Sequence, residues 1–162
     1  MKPTGDHRKR VLFLCTGNSC RSQMAEGFLR HLAGERFESL SAGTRPVPLN
    51  PLAVKAMAEV GIDISRQQSK GPETFAAPRM DVVITVCARA NDNCPVYPAA
   101  TERLHWEIDD PAETTGIEEE RMSVFRSVRD EICHRIRAFL EAADNAPEPP
   151  ARIGRPLRSR SA

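Results

Sequence analysis

The chain lacks a charge excess and a long apolar run, and each absence excludes a class of protein. Its 162 residues carry a formal net charge of +1, which gives no sign of a nucleic-acid or membrane surface. No apolar stretch approaches the roughly 20 residues that cross a bilayer. The N-terminal residues are polar, and the apolar stretch at 11–14 is too short for the core of a signal peptide. We therefore expect a soluble, cytoplasmic protein.

The chain also lacks an even number of cysteines, which argues against a framework of structural disulfides. The five are Cys15, Cys20, Cys87, Cys94 and Cys133. The cysteines are therefore interpreted either as reactive thiols or as ligands of a metal ion. A zinc site built from the first four is one alternative, but the six residues between Cys87 and Cys94 make too wide a spacing for a typical zinc knuckle. Cys133 lies within a predicted helix and is expected to serve packing.

Hydrophobic patterns alternate between strands and helices along the chain. Apolar runs predict strands over residues 11–14, 38–42, 81–86 and 104–108. Apolar residues at helical spacing predict helices over residues 19–33, 51–60 and 118–143. This alternation predicts a three-layer α/β fold with a four-stranded parallel sheet flanked by helices. We expect one domain over residues 1–145, followed by a disordered Pro- and Arg-rich tail over residues 146–162.

The segment between the first strand and the first helix has the features of an oxyanion-binding loop. Cys15 and Arg21 bracket five residues that include Gly17, and so tight a turn can point successive backbone N–H groups at an anion. The helix N-terminus adds positive charge, and a guanidinium can hold two oxygens. The same field favours the thiolate of Cys15, to which Ser22 can donate a hydrogen bond. The loop consists of Cys15, Thr16, Gly17, Asn18, Ser19, Cys20, Arg21 and Ser22.

Two of the cysteines follow directly after predicted buried strands. Parallel sheets bind ligands at the carboxyl ends of their strands, so Cys15 and Cys87 are expected at the same edge. If their strands are neighbours, the spacing of about 4.8 Å is compatible with a disulfide, which needs Cα atoms about 4.4–6.8 Å apart. The alternative is that Cys87 is a core residue at a strand end and Cys94 an unrelated thiol in a loop.

The loop and the residues after it resemble a known family. Residues 15–27, Cys-Thr-Gly-Asn-Ser-Cys-Arg-Ser-Gln-Met-Ala-Glu-Gly, resemble the thioredoxin-coupled arsenate reductase branch of the low-molecular-weight protein tyrosine phosphatase superfamily. The likeness continues in order through residues 41–43, 61–65, 87–95, 105–106 and 109–112. It implies the fold of that superfamily and the reduction of arsenate to arsenite. Arsenate is then the substrate, thioredoxin the electron donor, and no cofactor is needed.

The resemblance also implies a role for each reacting residue. Cys15 is the nucleophile, and Cys87 attacks its arsenic adduct, so that arsenite leaves and a disulfide forms with Cys15. Cys94 then attacks Cys87 and carries the disulfide to the surface. Asp110, which precedes Pro111, acts as the general acid that protonates the departing oxygen.

Some reductases of this type bind potassium beside the loop. Asn18, Glu26 and Ser41 match ligands of that site, and Asn18 also helps to hold the loop. The further Asp is not matched, because Lys70 stands where we would place it. Its ammonium is expected to pair with Glu26 in place of the ion, so these residues are a remnant of a potassium site and no metal ion is expected.

Two other functions are compatible with the sequence. A low-molecular-weight tyrosine phosphatase would use the same Cys15, Arg21 and Asp110, but such enzymes usually carry aromatic residues after Asp-Pro, and residues 112–115 read Ala-Glu-Thr-Thr. The second compatible function is that of a sensor that binds an oxyanion or arsenic through its thiols. A nucleic-acid partner is not expected, because the arginines of the tail lack interleaved aromatic residues.

Overall fold

A computed structural model of the protein describes residues 8–75, 79–87 and 100–146. Its four strands are β1 (Lys9–Cys15), β2 (Phe37–Gly43), β3 (Met80–Val86) and β4 (Ala100–Trp106). They form one parallel sheet in the order β2–β1–β3–β4. The helices within the described residues are α1 (Arg21–Ala33), α2 (Pro51–Ala58) and α3 (Glu118–Asn145). The predicted α/β fold, with a four-stranded parallel sheet flanked by helices, is confirmed.

β1 forms the centre of the sheet because its apolar run is suited to burial on both faces. It pairs with β2 on one side and β3 on the other, and residues 11–14 are fully buried. Val11 and Phe13 belong to the larger core, which includes residues of α1 and α3, whereas Leu12 and Leu14 belong to a smaller cluster. A central strand buried in this way fixes the position of Cys15 at its end.

The helices begin where the local chemistry allows. α1 begins at Arg21, two residues later than predicted, because the residues before it form the loop. The Asn50 side chain accepts a hydrogen bond from the Leu52 N–H at 2.9 Å, and Pro51 occupies the first helical position of α2. α2 ends at Ala58, and α3 ends at Asn145, two residues beyond its predicted end. No helix in the described ranges is both long and apolar enough to cross a membrane.

The prediction for the last strand was wrong in its bounds. β4 begins four residues earlier than predicted and ends at Trp106, so Ile108 lies outside it, although Ile108 is buried in the larger core. Among the described strands, β4 pairs only with β3 and lies at the edge of their sheet, where Glu102 and Arg103 are exposed. Its apolar signal is therefore confined to its second half. The expected tail lies outside the described residues from 147 onwards, and its disorder stays a prediction.

Candidate active site

The sheet register brings the carboxyl ends of three strands together. Leu14 of β1 is paired with Thr85 of β3, so Cys87 lies one residue beyond the position opposite Cys15. On the other side, Cys15 is paired with Gly43 of β2. Both cysteines are buried. The condition set by the sequence, that the strands before Cys15 and Cys87 are neighbours, is met.

The loop surrounds the Cys15 sulfur with hydrogen-bond donors. The Asn18 backbone N–H donates to Cys15 Sγ at 3.1 Å, and Ser22 Oγ lies 2.8 Å from the same sulfur. Ser22 Oγ itself accepts a hydrogen bond from Asn18 Nδ2 at 2.9 Å. Because the hydroxyl oxygen is accepting from that side, its own hydrogen is available to the sulfur. Both groups therefore fix the position of the Cys15 sulfur within the loop.

Asn18 holds the loop from a backbone conformation that few side chains adopt. Its φ is +48°, and it is fully buried. Its side-chain Oδ1 accepts from Gln23 Nε2 at 3.0 Å and from the Lys70 backbone N–H at 3.1 Å. Its backbone carbonyl accepts from Gln23 Nε2 at 2.9 Å and from the Ser69 hydroxyl. These contacts offset the conformational strain and keep the Asn18 N–H directed at Cys15.

Arg21 and Asp110 form the charged part of the site. Arg21 is 7% exposed; its Nη1 donates to the Ile108 carbonyl at 2.9 Å, and its Nη2 lies 3.6 Å from Asp110 Oδ2. The other carboxylate oxygen of Asp110 accepts the Ala112 N–H at 3.0 Å. Asp110 is therefore oriented by two contacts, and its Oδ2 is directed towards the guanidinium that is predicted to hold the anion.

Three residues that sequence reasoning missed support the loop. Gln23 and Ser69 contact Asn18, and nothing in their sequence positions indicates those contacts. A Cβ on Gly43 would lie 2.5 Å from the Thr16 carbonyl oxygen and 2.7 Å from the Asn18 nitrogen, so only glycine fits there. The Ser-Ala-Gly sequence at the end of β2 was a signal for such a close approach.

Glu26 lies behind the loop among cationic groups. Lys70 Nζ is 3.6 Å from its Oε1, Arg30 Nη2 is 3.1 Å from its Oε2, and the Ser41 hydroxyl donates to Oε1 at 3.1 Å. The expected pairing of Lys70 with Glu26 is confirmed. In the part of the chain that the structure describes, no group of three or more His, Cys, Asp or Glu side chains is arranged to hold a metal ion.

The other cysteines differ in their surroundings. Cys20 is 2% exposed, and burial raises the pKa of its thiol to about 12, although the Ser19 hydroxyl acts in the opposite direction. It therefore remains a neutral thiol near pH 7. Cys133 lies in α3, partly buried against the larger core. Cys94 lies outside the described residues.

A cavity of about 340 Å³ opens over the Cys15 sulfur. Its lining consists of Cys15, Thr16, Gly17, Ser19, Cys20, Arg21, Arg45, Val47, Asp110 and Ala112. It joins a nucleophile, backbone donors, a guanidinium and a carboxyl group. Such a set is suited to attack on a tetrahedral oxyanion, with proton transfer to the oxygen that leaves.

The sequence profile of the low molecular weight phosphotyrosine protein phosphatase family matches residues 10–147. The chain belongs to that family. An arsenate reductase from Shouchella clausii is 52% identical over 137 residues, which are 85% of this chain and 99% of the relative. A solved arsenate reductase in the phosphate binding state superposes with a TM-score of 0.70 at 37% identity, covering 82% of this chain and 97% of that chain. This family member is therefore an enzyme related to arsenate reductases.

A further solved structure is a thioredoxin-dependent arsenate reductase from Corynebacterium glutamicum. It superposes with a TM-score of 0.64 at 29% identity, and the match covers 87% of this family member and 64% of that chain. The chain therefore shares its fold with a reductase that is described as thioredoxin-dependent.

Proposed function

We propose that this enzyme reduces arsenate to arsenite in the cytoplasm through a relay of Cys15, Cys87 and Cys94, with thioredoxin as the electron donor. The observation that carries the proposal is the position of Cys87, which follows the strand next to the one that ends at Cys15. A phosphatase needs one sulfur at this site. A second buried thiol at the same sheet edge suits a reaction that ends in a disulfide.

In the first step, the Cys15 thiolate attacks arsenic(V) in the bound anion. A sulfur–arsenic bond forms, and one oxygen leaves as water after it takes a proton from Asp110. Arg21 and the loop N–H groups stabilise the negative charge of the remaining oxygens. The contacts of Asn18 and Ser22 with the Cys15 sulfur support this role, because they hold the sulfur at the base of the loop, facing the cavity.

In the second step, the Cys87 thiolate attacks the Cys15 sulfur. The sulfur–arsenic bond breaks and its electron pair stays on arsenic, which is reduced to arsenic(III) and leaves as arsenite. Cys15 and Cys87 are then joined as a disulfide, and the two sulfurs have supplied the two electrons. The adjacent strands support this step, since a strand spacing of about 4.8 Å and an offset of one residue, about 3.3 Å, put the two Cα atoms about 6 Å apart, which is within the Cα range of a disulfide.

In the third step, the Cys94 thiolate attacks the Cys87 sulfur and releases Cys15 as a thiolate. The Cys87–Cys94 disulfide is then reduced by the dithiol of thioredoxin through exchange. The thioredoxin-dependent relative from Corynebacterium glutamicum supports this donor. The role of Cys94 follows from the family resemblance, since the residue lies outside the described part of the chain.

Single-turnover assays with arsenate test the relay. We expect Cys87→Ser to release no arsenite, whereas Cys94→Ser should release about one per enzyme and accumulate a Cys15–Cys87 disulfide, identified by peptide mass spectrometry. Neither variant should turn over with thioredoxin. Cys133→Ser is the matched control and should turn over like the wild type, because Cys133 packs in α3. Normal turnover by both Cys87→Ser and Cys94→Ser would show that the relay is wrong.

The cavity mouth favours a small oxyanion over a phosphotyrosine. Beside Asp110 the described lining includes Val47 and Ala112 and no aromatic side chain that would stack on a tyrosine ring. We expect weak hydrolysis of small phosphate esters as a side activity. Rapid hydrolysis of phosphotyrosine without any reduction of arsenate would establish the phosphatase alternative instead.

A further inference from the structure

The chain between β2 and α2 is attached to the oxyanion loop by its backbone. The Thr44 N–H donates to the Cys15 carbonyl at 3.1 Å, and the Arg45 N–H donates to the Thr16 carbonyl at 2.9 Å. The Val47 N–H donates to the Gly17 carbonyl at 3.0 Å. Three bonds to three successive loop residues hold the backbone of residues 44–47 at the rim of the site, so each Cα at this rim keeps a constant position relative to the cavity.

Arg45 is the charged side chain on this rim. It is exposed and lines the cavity together with Cys15, Arg21 and Asp110. Across the described ranges, no carboxylate pairs with its guanidinium and no hydrogen bond engages it, whereas Arg21 lies 3.6 Å from Asp110. Arg45 therefore adds to the cavity mouth a positive charge that no described carboxylate pairs with, whereas the charge of Arg21 lies beside Asp110.

We propose that Arg45 is a second cationic group of the oxyanion site and sets its affinity for tetrahedral dianions. Its guanidinium attracts the anion to the mouth and binds an outward-facing oxygen, while Arg21 and the loop N–H groups bind the inner oxygens. The inference deepens the proposed function, since it assumes that the cavity binds an oxyanion, but it does not depend on electron transfer.

Protection of the Cys15 thiol by inorganic phosphate gives a test that needs no turnover. The alkylation of Cys15 by iodoacetamide is followed by peptide mass spectrometry at increasing phosphate concentrations. We expect Arg45→Ala to raise the half-protecting concentration by about threefold to fivefold, in the upper range of one exposed charge contact. Arg45→Glu should raise it further, and Arg45→Lys should stay within about twofold of the wild type, since it keeps the charge.

Arg137→Ala is the matched control, because Arg137 is exposed on α3 and does not line the cavity. It removes the same charge and should leave phosphate protection unchanged. Added salt should weaken protection more in the wild type than in Arg45→Ala, because the exposed charge is screened. Unchanged protection in Arg45→Ala, with the wild-type melting temperature retained, would overturn the inference.

Steady-state assays separate this inference from the proposed function. We expect the KM for arsenate to rise in Arg45→Ala by a larger factor than kcat falls. A raised KM for thioredoxin with an unchanged KM for arsenate would overturn the inference and make Arg45 a contact for the protein donor. If the wild type reduces no arsenate but its phosphate protection depends on Arg45, the proposed function fails and the second cationic group stands.

Discussion

Single residues decide the shape of the oxyanion loop. Asn18 adopts a positive φ, and its side chain and backbone are both bound by residues distant in sequence, such as Ser69. The loop itself could be predicted, because Cys15, Arg21 and the residues between them are contiguous. The residues that hold it could not, since Gln23 and Ser69 meet Asn18 only after α1 and the segment before β3 have packed together.

Gly43 is the residue at which a single methyl group should disturb the loop. In Gly43→Ala, the Cβ would collide with backbone atoms of Thr16 and Asn18, and neither can move without opening the loop. We expect a loss of about 1–3 kcal/mol in the free energy of unfolding and at least tenfold weaker phosphate protection of Cys15. Urea denaturation and the alkylation assay measure the two effects.

Gly61→Ala is the control for that substitution. Gly61 has a φ of +81°, and a methyl group added there would have no atom within 4 Å, so alanine introduces backbone strain without a collision. It should destabilise the protein by about 1 kcal/mol and leave phosphate protection unchanged. Equal effects of the two substitutions on protection would contradict a specific role for Gly43.

Cys20 makes stability depend on pH in the alkaline range. The pKa of its thiol rises from 9.0 to about 12 through burial, so folding favours the neutral form. The stability it contributes is complete below pH 9 and is lost as the pH rises from 9 towards 12. Between pH 8 and pH 10.5, the wild type should lose about 2 kcal/mol more unfolding free energy than Cys20→Ala. Identical losses in urea denaturation would show that Cys20 ionises normally.

At the scale of the elements, continuous apolar runs were the most reliable signal. β1 and β3 are buried and were predicted within two residues of their observed ends. β4 was misplaced because an edge strand carries exposed charged residues that hide its first half. An apolar run indicates burial. It therefore predicts the buried part of a strand and misses the part that is exposed.

The contact between α2 and α3 depends on a buried arginine. Arg129 Nη1 donates to the Ala56 carbonyl at 2.9 Å and to Glu59 Oε1 at 3.0 Å, both near the C-terminus of α2. We expect Arg129→Met to lower the free energy of unfolding by about 2–3 kcal/mol, because the Ala56 carbonyl loses a charged donor in a buried position. Arg126→Met, which removes a more exposed partner of Glu59, should cost less than about 1 kcal/mol in urea denaturation.

At the scale of the whole molecule, composition and alternation predicted the fold class, whereas strand order was beyond the sequence patterns. The sequences of residues 11–14 and 81–86 do not indicate that β1 and β3 are neighbours in the sheet. That adjacency depends on how the crossovers pack against the sheet. The placement of Cys87 next to the Cys15 loop is therefore a tertiary property, and from the sequence it could be stated only as a condition.

The domain boundary also belongs to this scale. α3 ends at Asn145, the family profile ends at residue 147, and the tail beyond is rich in Pro and Arg. We expect a chain that ends after Ala146 to keep its melting temperature within about 2 °C, since such a composition buries little apolar surface. Thermal denaturation of the full and shortened chains measures this. A drop of about 10 °C would show that the tail contributes to the folded domain.

In this parallel sheet, the residues proposed for anion binding and the cysteine proposed for electron transfer follow different strands. The groups that we propose bind an oxyanion follow β1, β2 and β4, whereas Cys87 follows β3. A protein with this fold can therefore gain or lose the thiols for electron transfer through substitutions after β3 alone. Its binding of tetrahedral anions, which depends on residues after the other strands, would remain. Phosphatases and arsenate reductases can therefore share one fold, as the family profile and the relatives of this chain indicate.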